Sequence, residues 1–228
     1  MKVIAIHGSP RTIRSTTRRL AGLVLEGAAE SGSETEMIDL ADYRVTPCTA
    51  CEACSLSGTC IFGDDVPALI VRMQEADAIV FGSPVYIDSI SGQMKVFFDR
   101  LADTIHYQLL AGRYGCAVAT TCESGGGDVV TYLNHVLNYL GIISVGGFSI
   151  ATGGRAERVE DAGAAARALG RKLAAAVTHG FSDPAQEAVL LDNRSSFRAI
   201  VEENRDFRTD EYERWVRMGW TGEGLKNR

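Results

Sequence analysis

The stretch KVIAIHGSPRTIRSTT, residues 2–17, joins three kinds of sequence in one short span. A compact apolar run at 3–6 is cut by HGSPR, and a hydroxyl-rich segment then enters a helical pattern. Over 15–28 the apolar positions Leu20, Leu23, Val24 and Ala28 recur at helical spacing. This reads as strand, break, helix. The break supplies hydroxyls at Ser9, Ser15, Thr16 and Thr17, cations at Arg11 and Arg14, and the free N–H groups of a helix start. Together these suit a phosphate dianion. Ser and Thr are also what any helix N-cap needs, so the stretch alone leaves both readings open. It matches neither the dinucleotide pattern G-x-G-x-x-G nor the P-loop.

The alternation repeats downstream. Residues 35–40, 78–81, 114–121 and 145–150 read as further strands. Between them lie helical stretches at 66–73, 92–101, 129–140 and 162–177, with Asp64 or Asp65 placed to cap the first. The last is alanine-rich and rests mainly on propensity. Strands separated by helices of this length predict βαβ units. The expected fold class is α/β, a doubly wound five-stranded parallel sheet with its ligand at the carboxyl ends of the strands.

Residues 1–182 are expected to form this domain, and 183–228 a helical C-terminal extension that starts at Asp183-Pro184. The extension carries both tryptophans. Phe197, Ile200 and Val201 mark one helix, and Tyr212, Trp215 and Val216 a second. It is too short for its own core, so it should pack on the main domain or on a neighbouring subunit. A lid over the site is the alternative.

At 228 residues, 46% hydrophobic and 23% charged, the composition is that of a soluble globular protein. Such a chain buries roughly 70% of its unfolded surface and needs neither disulfide nor metal to hold a core. A net charge of −6 argues against a nucleic-acid partner. The first apolar run is too short for a signal peptide, and no later run approaches a membrane span. The expectation is a cytoplasmic protein whose thiols stay reduced.

Two more strand ends carry ligand-type loops. GSPVY (82–86) presents stiff, flat apolar surface at Pro84, Val85 and Tyr86, which suits a planar heterocycle but also a core turn. TTCESGGGD (120–128) ends in Gly125, Gly126 and Gly127, which permit close backbone approach or simply a flexible loop. Three such loops at adjacent strand ends are harder to dismiss together than singly.

The motifs GSPR-x3-STT, C-x2-C-x2-C-x5-C followed by DD, FGSPVY and SGQMKVFFDR occur in order over residues 1–180. In this the chain resembles the flavodoxin-like NADPH-dependent FMN reductases, and among them most of all the iron–sulfur flavoproteins. The resemblance implies FMN, with its phosphate on Ser9, Arg11, Ser15, Thr16 and Thr17. It also implies an isoalloxazine flanked by Pro84, Val85 and Tyr86, and closed on the other side by Thr120, Thr121 and the three glycines. The chain departs from the family's frequent Gly-Asn at Arg14-Ser15.

Four of the six cysteines, Cys48, Cys51, Cys54 and Cys60, fall in PCTACEACSLSGTC (47–60). C-x2-C-x2-C brings three thiolates around one cluster, and Cys60 returns as a fourth ligand. A [4Fe–4S] cluster is the expectation. Zinc more often uses two widely separated pairs, and metal-free thiols are the remaining possibility. Cys116, inside a strand, reads as a small buried hydrophobe, and His7 as structural.

The expected activity is FMN-dependent oxidoreduction. NAD(P)H would be a transient co-substrate, and a small molecule such as a flavin or quinone, or a redox protein such as ferredoxin, the partner. A homodimer or homotetramer is expected. The rivals are a flavodoxin-like electron carrier with no substrate of its own, an FMN reductase lacking a cluster, and a module using the 48–60 thiols as a redox switch.

Overall fold

The structure, a computed structural model, describes residues 1–222, so 223–228 of the expected extension lie outside the described residues. Its strands and helices run β1 Lys2–His7, α1 Thr16–Glu30, β2 Glu34–Asp39, α2 Ala53–Ser57, α3 Val66–Glu75, β3 Ala78–Pro84, α4 Gly92–Asp99 and α5 Ala102–His106. They continue with β4 Tyr114–Thr121, α6 Gly126–Tyr139, β5 Ile143–Ala151, α7 Gly163–His179, α8 Pro184–Glu203 and α9 Thr209–Arg217. The five strands form one parallel sheet in the order β2-β1-β3-β4-β5. The winding direction reverses between β1 and β3, so the crevice at their carboxyl ends is the switch point of a flavodoxin-like sheet.

The apolar run of β1 is continuous because both its faces are covered. Ile4 and Ile6 pack with Met73 of α3, Phe97 of α4 and Leu133 of α6 on one side. Val3 and Ala5 pack with Leu20 and Val24 of α1 and Leu173 of α7 on the other. The short helices α2 and α5 carry no amphipathic signal of their own length, and neither is visible as periodicity. Gly58, in the left-handed conformation, closes α2.

Helices α1 and α7 cross at two glycines. A Cβ at Gly27 would sit far inside contact distance of the Arg167 carbonyl, and one at Gly170 would overlap the Val24 carbonyl. Ion pairs flank the crossing, with Arg167 on Glu26 at 2.7 Å and Arg171 on Glu30 at 2.6 Å.

The C-terminal helices dock on the body of their own chain. Asp183 caps α8 by accepting from Ala185 N–H at 2.9 Å, with Pro184 in the first turn. Gln186 then pairs with the edge strand β5: its Oε1 accepts from Ser144 N–H at 2.8 Å and its Nε2 donates to the Ser144 carbonyl. A small satellite core of Phe197, Val201 and Trp215 packs against Ile105 and Tyr139, and Trp215 Nε1 donates to the His106 carbonyl at 2.9 Å. Ile200 and Val216, expected on the same faces, point to solvent instead.

In an exposed helix Gly→Ala stabilises by about 1 kcal/mol. At Gly170 the sign reverses, because overpacking against backbone costs about 1–3 kcal/mol. Gly170→Ala should therefore lower the melting temperature by several degrees in thermal unfolding. An unchanged or raised value contradicts the close crossing.

Candidate active site

Parallel pairing of β1, β3 and β4 brings their carboxyl-end loops together around a cleft of about 400 Å³. Ser9, Arg11, Ser15, Thr16 and Thr17 line it from the β1–α1 loop, Pro84, Val85 and Tyr86 from the end of β3, and Thr120 and Thr121 from β4. The loops are fixed to one another. Gly8 N–H donates to the Gly82 carbonyl at 2.9 Å, and Val85 N–H to the Thr120 carbonyl at 2.8 Å. The Thr17 and Thr120 hydroxyls are 2.6 Å apart. Ser91, the N-cap of α4, donates to the Gly8 carbonyl at 2.6 Å, while its N–H donates to Ser83 Oγ at 3.0 Å. A Cβ at Gly8 would lie 2.6 Å from that same Ser91 hydroxyl, so only glycine fits there.

Ser15 stands at both the helix start and the cleft. Its Oγ caps α1 by accepting from Arg18 N–H at 3.1 Å, and the residue also lines the cleft. The three glycines stand at the start of a helix. Gly125, with φ of +77°, is the left-handed N-cap of α6, and Gly126 and Gly127 form its first turn. Gly125 stands against the 85–88 turn, where a Cβ would lie 3.0 Å from Asp88 Oδ1, whereas a Cβ at Gly126 would meet Ser149 and one at Gly127 nothing within 4 Å. The cleft is completed instead by Cys122, Thr152 and Gly154. Thr152 and Gly154 belong to the run ATGG (151–154) at the end of β5, a fourth strand-end loop with the same small, polar character.

The turn beyond Tyr86 is tight. Ile87 and Asp88 both have positive φ, 50° and 57°, and Tyr86 and Ser89 exchange backbone hydrogen bonds across them. Asn and Gly are the usual occupants of such a turn. Here a β-branched isoleucine takes the strained position with its side chain fully exposed.

Beneath the phosphate-type loop lies a buried polar relay. His7 is fully buried, its Nε2 bonded to Asp39 Oδ1, while Arg18 Nε donates to both Asp39 oxygens at 2.9 Å. Ser9 N–H donates to His7 Nδ1 at 3.2 Å. With Nδ1 accepting, the ring is neutral and carries its proton on Nε2. Burial lowers its pKa below 6.5, against the opposing pull of Asp39. His7 is thus structural, as its position predicts.

All six cysteines are free. Cys48, Cys54 and Cys60 line a second, mainly apolar cavity of about 290 Å³ under α2, whereas Cys51 is exposed between left-handed Ala50 and Glu52. Among the described residues no three His, Cys, Asp or Glu side chains stand at metal-binding geometry. The donor set nevertheless fits a thiolate-bound iron–sulfur group. Three thiols share one cavity, and two sulfurs accept N–H groups: Cys48 from Ala50 N at 3.4 Å, Cys60 from Arg100 Nη2 at 3.2 Å. Burial, followed by the Asp103 carboxylate, pushes the Cys54 thiol up to about 11, so any metal bound there displaces a proton. Cys116 is fully buried in β4, and desolvation pushes it up to about 12, as an inert core thiol.

A neutral buried histidine makes stability depend on pH. Between the lowered native pKa and 6.5 the unfolded chain binds more protons than the folded one, so stability falls as pH drops through that window. His7→Gln removes this titration. The melting-temperature advantage of wild type over His7→Gln should shrink from about pH 7 to about pH 5. Parallel curves contradict the neutral, buried assignment.

A family model described as NADPH-dependent FMN reductase matches residues 1–157. An iron-sulfur flavoprotein of Methanocaldococcus jannaschii is 41% identical over 146 residues, 64% of this chain and 74% of that protein. One of Archaeoglobus fulgidus is 30% identical over 225 residues, covering 96% of this chain and 100% of that protein. Among solved structures, an NADH:FMN oxidoreductase in its apo form superposes with a TM-score of 0.55 at 26% identity, over 81% of this chain and 92% of that one. A flavone reductase superposes with a TM-score of 0.65 at 17% identity, over 80% and 66%, a likeness of fold alone. The crevice at the switch point, its hydroxyl-lined loop and these relatives agree: the chain belongs to the NADPH-dependent FMN reductase family and is an FMN-dependent NAD(P)H oxidoreductase.

Proposed function

We propose that the chain is a two-centre redox enzyme, with FMN in the switch-point cleft and a [4Fe–4S] cluster on Cys48, Cys51, Cys54 and Cys60. The observation that carries this reading is the four-cysteine loop, three of whose thiols share a cavity. The Archaeoglobus protein called an iron-sulfur flavoprotein matches this chain along nearly its whole length, which supports it. Thr16, Thr17, Ser9 and the α1 N-terminus hold the FMN phosphate, with Arg11 as the cation. Pro84, Val85 and Tyr86 form the wall for the ring, and Thr120 and Thr121 meet its opposite edge, with Gly125, Gly126 and Gly127 closing that side at the start of α6 and Gly125 set against Val85.

Bound FMN supplies hydride acceptance and electron release in ones or twos, and a cluster supplies one-electron storage. The side chains bind, orient and exclude water, and none is needed as a general acid or base. The protein in this reading converts the electron pair of one hydride from a nicotinamide into single electrons for ferredoxin, or for a small acceptor such as a flavin or quinone. It works in the cytoplasm, where the thiols stay reduced.

Residues 1–182 act as the redox domain and the helical extension as its prop. Ile13, Tyr86 and Ile87 leave apolar surface at or near the cleft, 82%, 40% and 100% exposed, which a homodimer or homotetramer would cover.

Anaerobic mixing with NADPH or NADH should bleach the flavin absorbance, and turnover should follow when an acceptor is added. A carrier without its own substrate would show almost no oxidation of either nucleotide. Cys51→Ser should keep FMN and flavin bleaching but lose the iron; loss of FMN with iron retained would reverse the assignment of the two loops.

A further inference from the structure

Arg100 follows the last residue of α4, and its side chain is only 1% exposed. It forks onto Asp64, itself 1% exposed, with Nη1 donating to Oδ2 at 2.6 Å and Nη2 to Oδ1 at 3.2 Å. The guanidinium also donates to the Thr46 carbonyl at 2.7 Å and to Cys60 Sγ at 3.2 Å, and it lies 4.9 Å from the Phe62 ring centroid. Asp64 completes the knot. Its Oδ2 accepts from Thr46 N–H at 2.8 Å and its Oδ1 from Val66 N–H at 3.3 Å. Burial opposes ionisation of Asp64, yet Arg100 and these N–H groups hold it well below the usual carboxylate range.

The pair therefore clamps both ends of the cysteine loop, Thr46 before Cys48 and Cys60 with Asp64 after it, onto one helix. That helix starts at Ser91, whose hydroxyl is bonded to the Gly8 carbonyl in the phosphate-type loop. A buried ion pair is weak support for stability, because desolvation offsets most of its attraction. Its geometry is what distinguishes this one: one of its N–H groups is aimed at a sulfur.

We propose that Arg100, held by Asp64, is the positioning residue of the iron–sulfur site: it fixes Cys60 as a ligand and donates a charge-assisted N–H···S bond that raises the reduction potential of the centre. The proposal rests on the reading that the four-cysteine loop holds a cluster. Hydrogen bonds to ligand sulfur stabilise the more negative, reduced state, so removing one lowers the potential. Lysine at this position keeps the charge but cannot reproduce the fork that reaches Asp64, Thr46 and Cys60 together. A change in Arg100→Lys thus reports the aimed N–H group rather than net charge.

The test uses full-length protein purified without oxygen, in three forms: wild type, Arg100→Lys, and the double variant Asp64→Asn/Arg100→Gln. The double variant leaves no uncompensated buried charge, so it retains a fold where Arg100→Gln alone does not. Iron and FMN per chain are measured on each, and the cluster midpoint by reductive titration. Arg100→Lys should keep FMN and iron while its one-electron equilibrium shifts about tenfold toward the oxidised form, about −59 mV. The double variant should keep FMN and lose at least half its iron.

Wild-type iron and midpoint retained in both variants would overturn the inference while leaving the two-centre reading intact. FMN lost in parallel with iron would make the pair a general element of the fold and overturn it equally. Wild type with flavin and no iron would remove the two-centre reading, and the inference with it.

Discussion

Parallel hydrogen bonding between β1, β3 and β4 is the constraint on which the rest of the molecule depends. The register sets His7 beside Gly82 and Pro84 beside Thr120, so the strands deliver their next residues to one crevice. The loops that follow need little independent stability. Gly8, Val85 and Thr17 each bond to a neighbouring strand end, and the cleft is pre-formed. In such a site binding energy is not spent on ordering the chain.

The same frame explains why buried charge sits where it does. Besides Glu211, buried with Arg208 and His106 at the C-terminal helices, two charge clusters lie under the site loops: Asp39–His7–Arg18 under the phosphate-type loop and Asp64–Arg100 under the cysteine loop. Neither is needed to stabilise a sheet packed on both faces by apolar side chains. Each instead ties down a loop that lacks regular structure. Helix α4 connects the two, with Ser91 at one end bonded to Gly8 and Arg100 at the other bonded to Cys60. One helix thus fixes the phosphate-type loop relative to the cysteine loop.

Much of this was legible in the chain because strands and helices announce themselves by period. The expected bounds of β4, 114–121, coincide with the observed Tyr114–Thr121, since buried β-rich residues fill that strand throughout. Residue type, position after strands and the family resemblance point to Ser9, Arg11, Ser15, Thr16, Thr17, Pro84, Val85, Tyr86, Thr120 and Thr121, and these line the cleft. The glycine run admits two readings. A Gly-Gly-Gly sequence serves equally as an open loop or as the left-handed entry to a helix, and only the packing of Gly125 against Asp88 decides.

Long-range polar pairs left no periodic trace at all. Asp64 read as a helix cap and does accept from Val66 N–H, but its pairing with Arg100 across 36 positions is a product of the fold. Asp65, the other candidate, instead accepts from Arg44 N–H at 2.7 Å. Gln186 gave no signal for the edge-strand pairing that anchors the extension.

Whether one chain carries two redox centres is decided by the stoichiometry of the anaerobically purified protein. Two centres give flavin bands with a broad violet shoulder, one FMN, and about four irons with matching acid-labile sulfide per chain. Flavin bands without iron or sulfide would contradict the two-centre reading, leaving a single-centre FMN reductase with four thiols on a clamped loop.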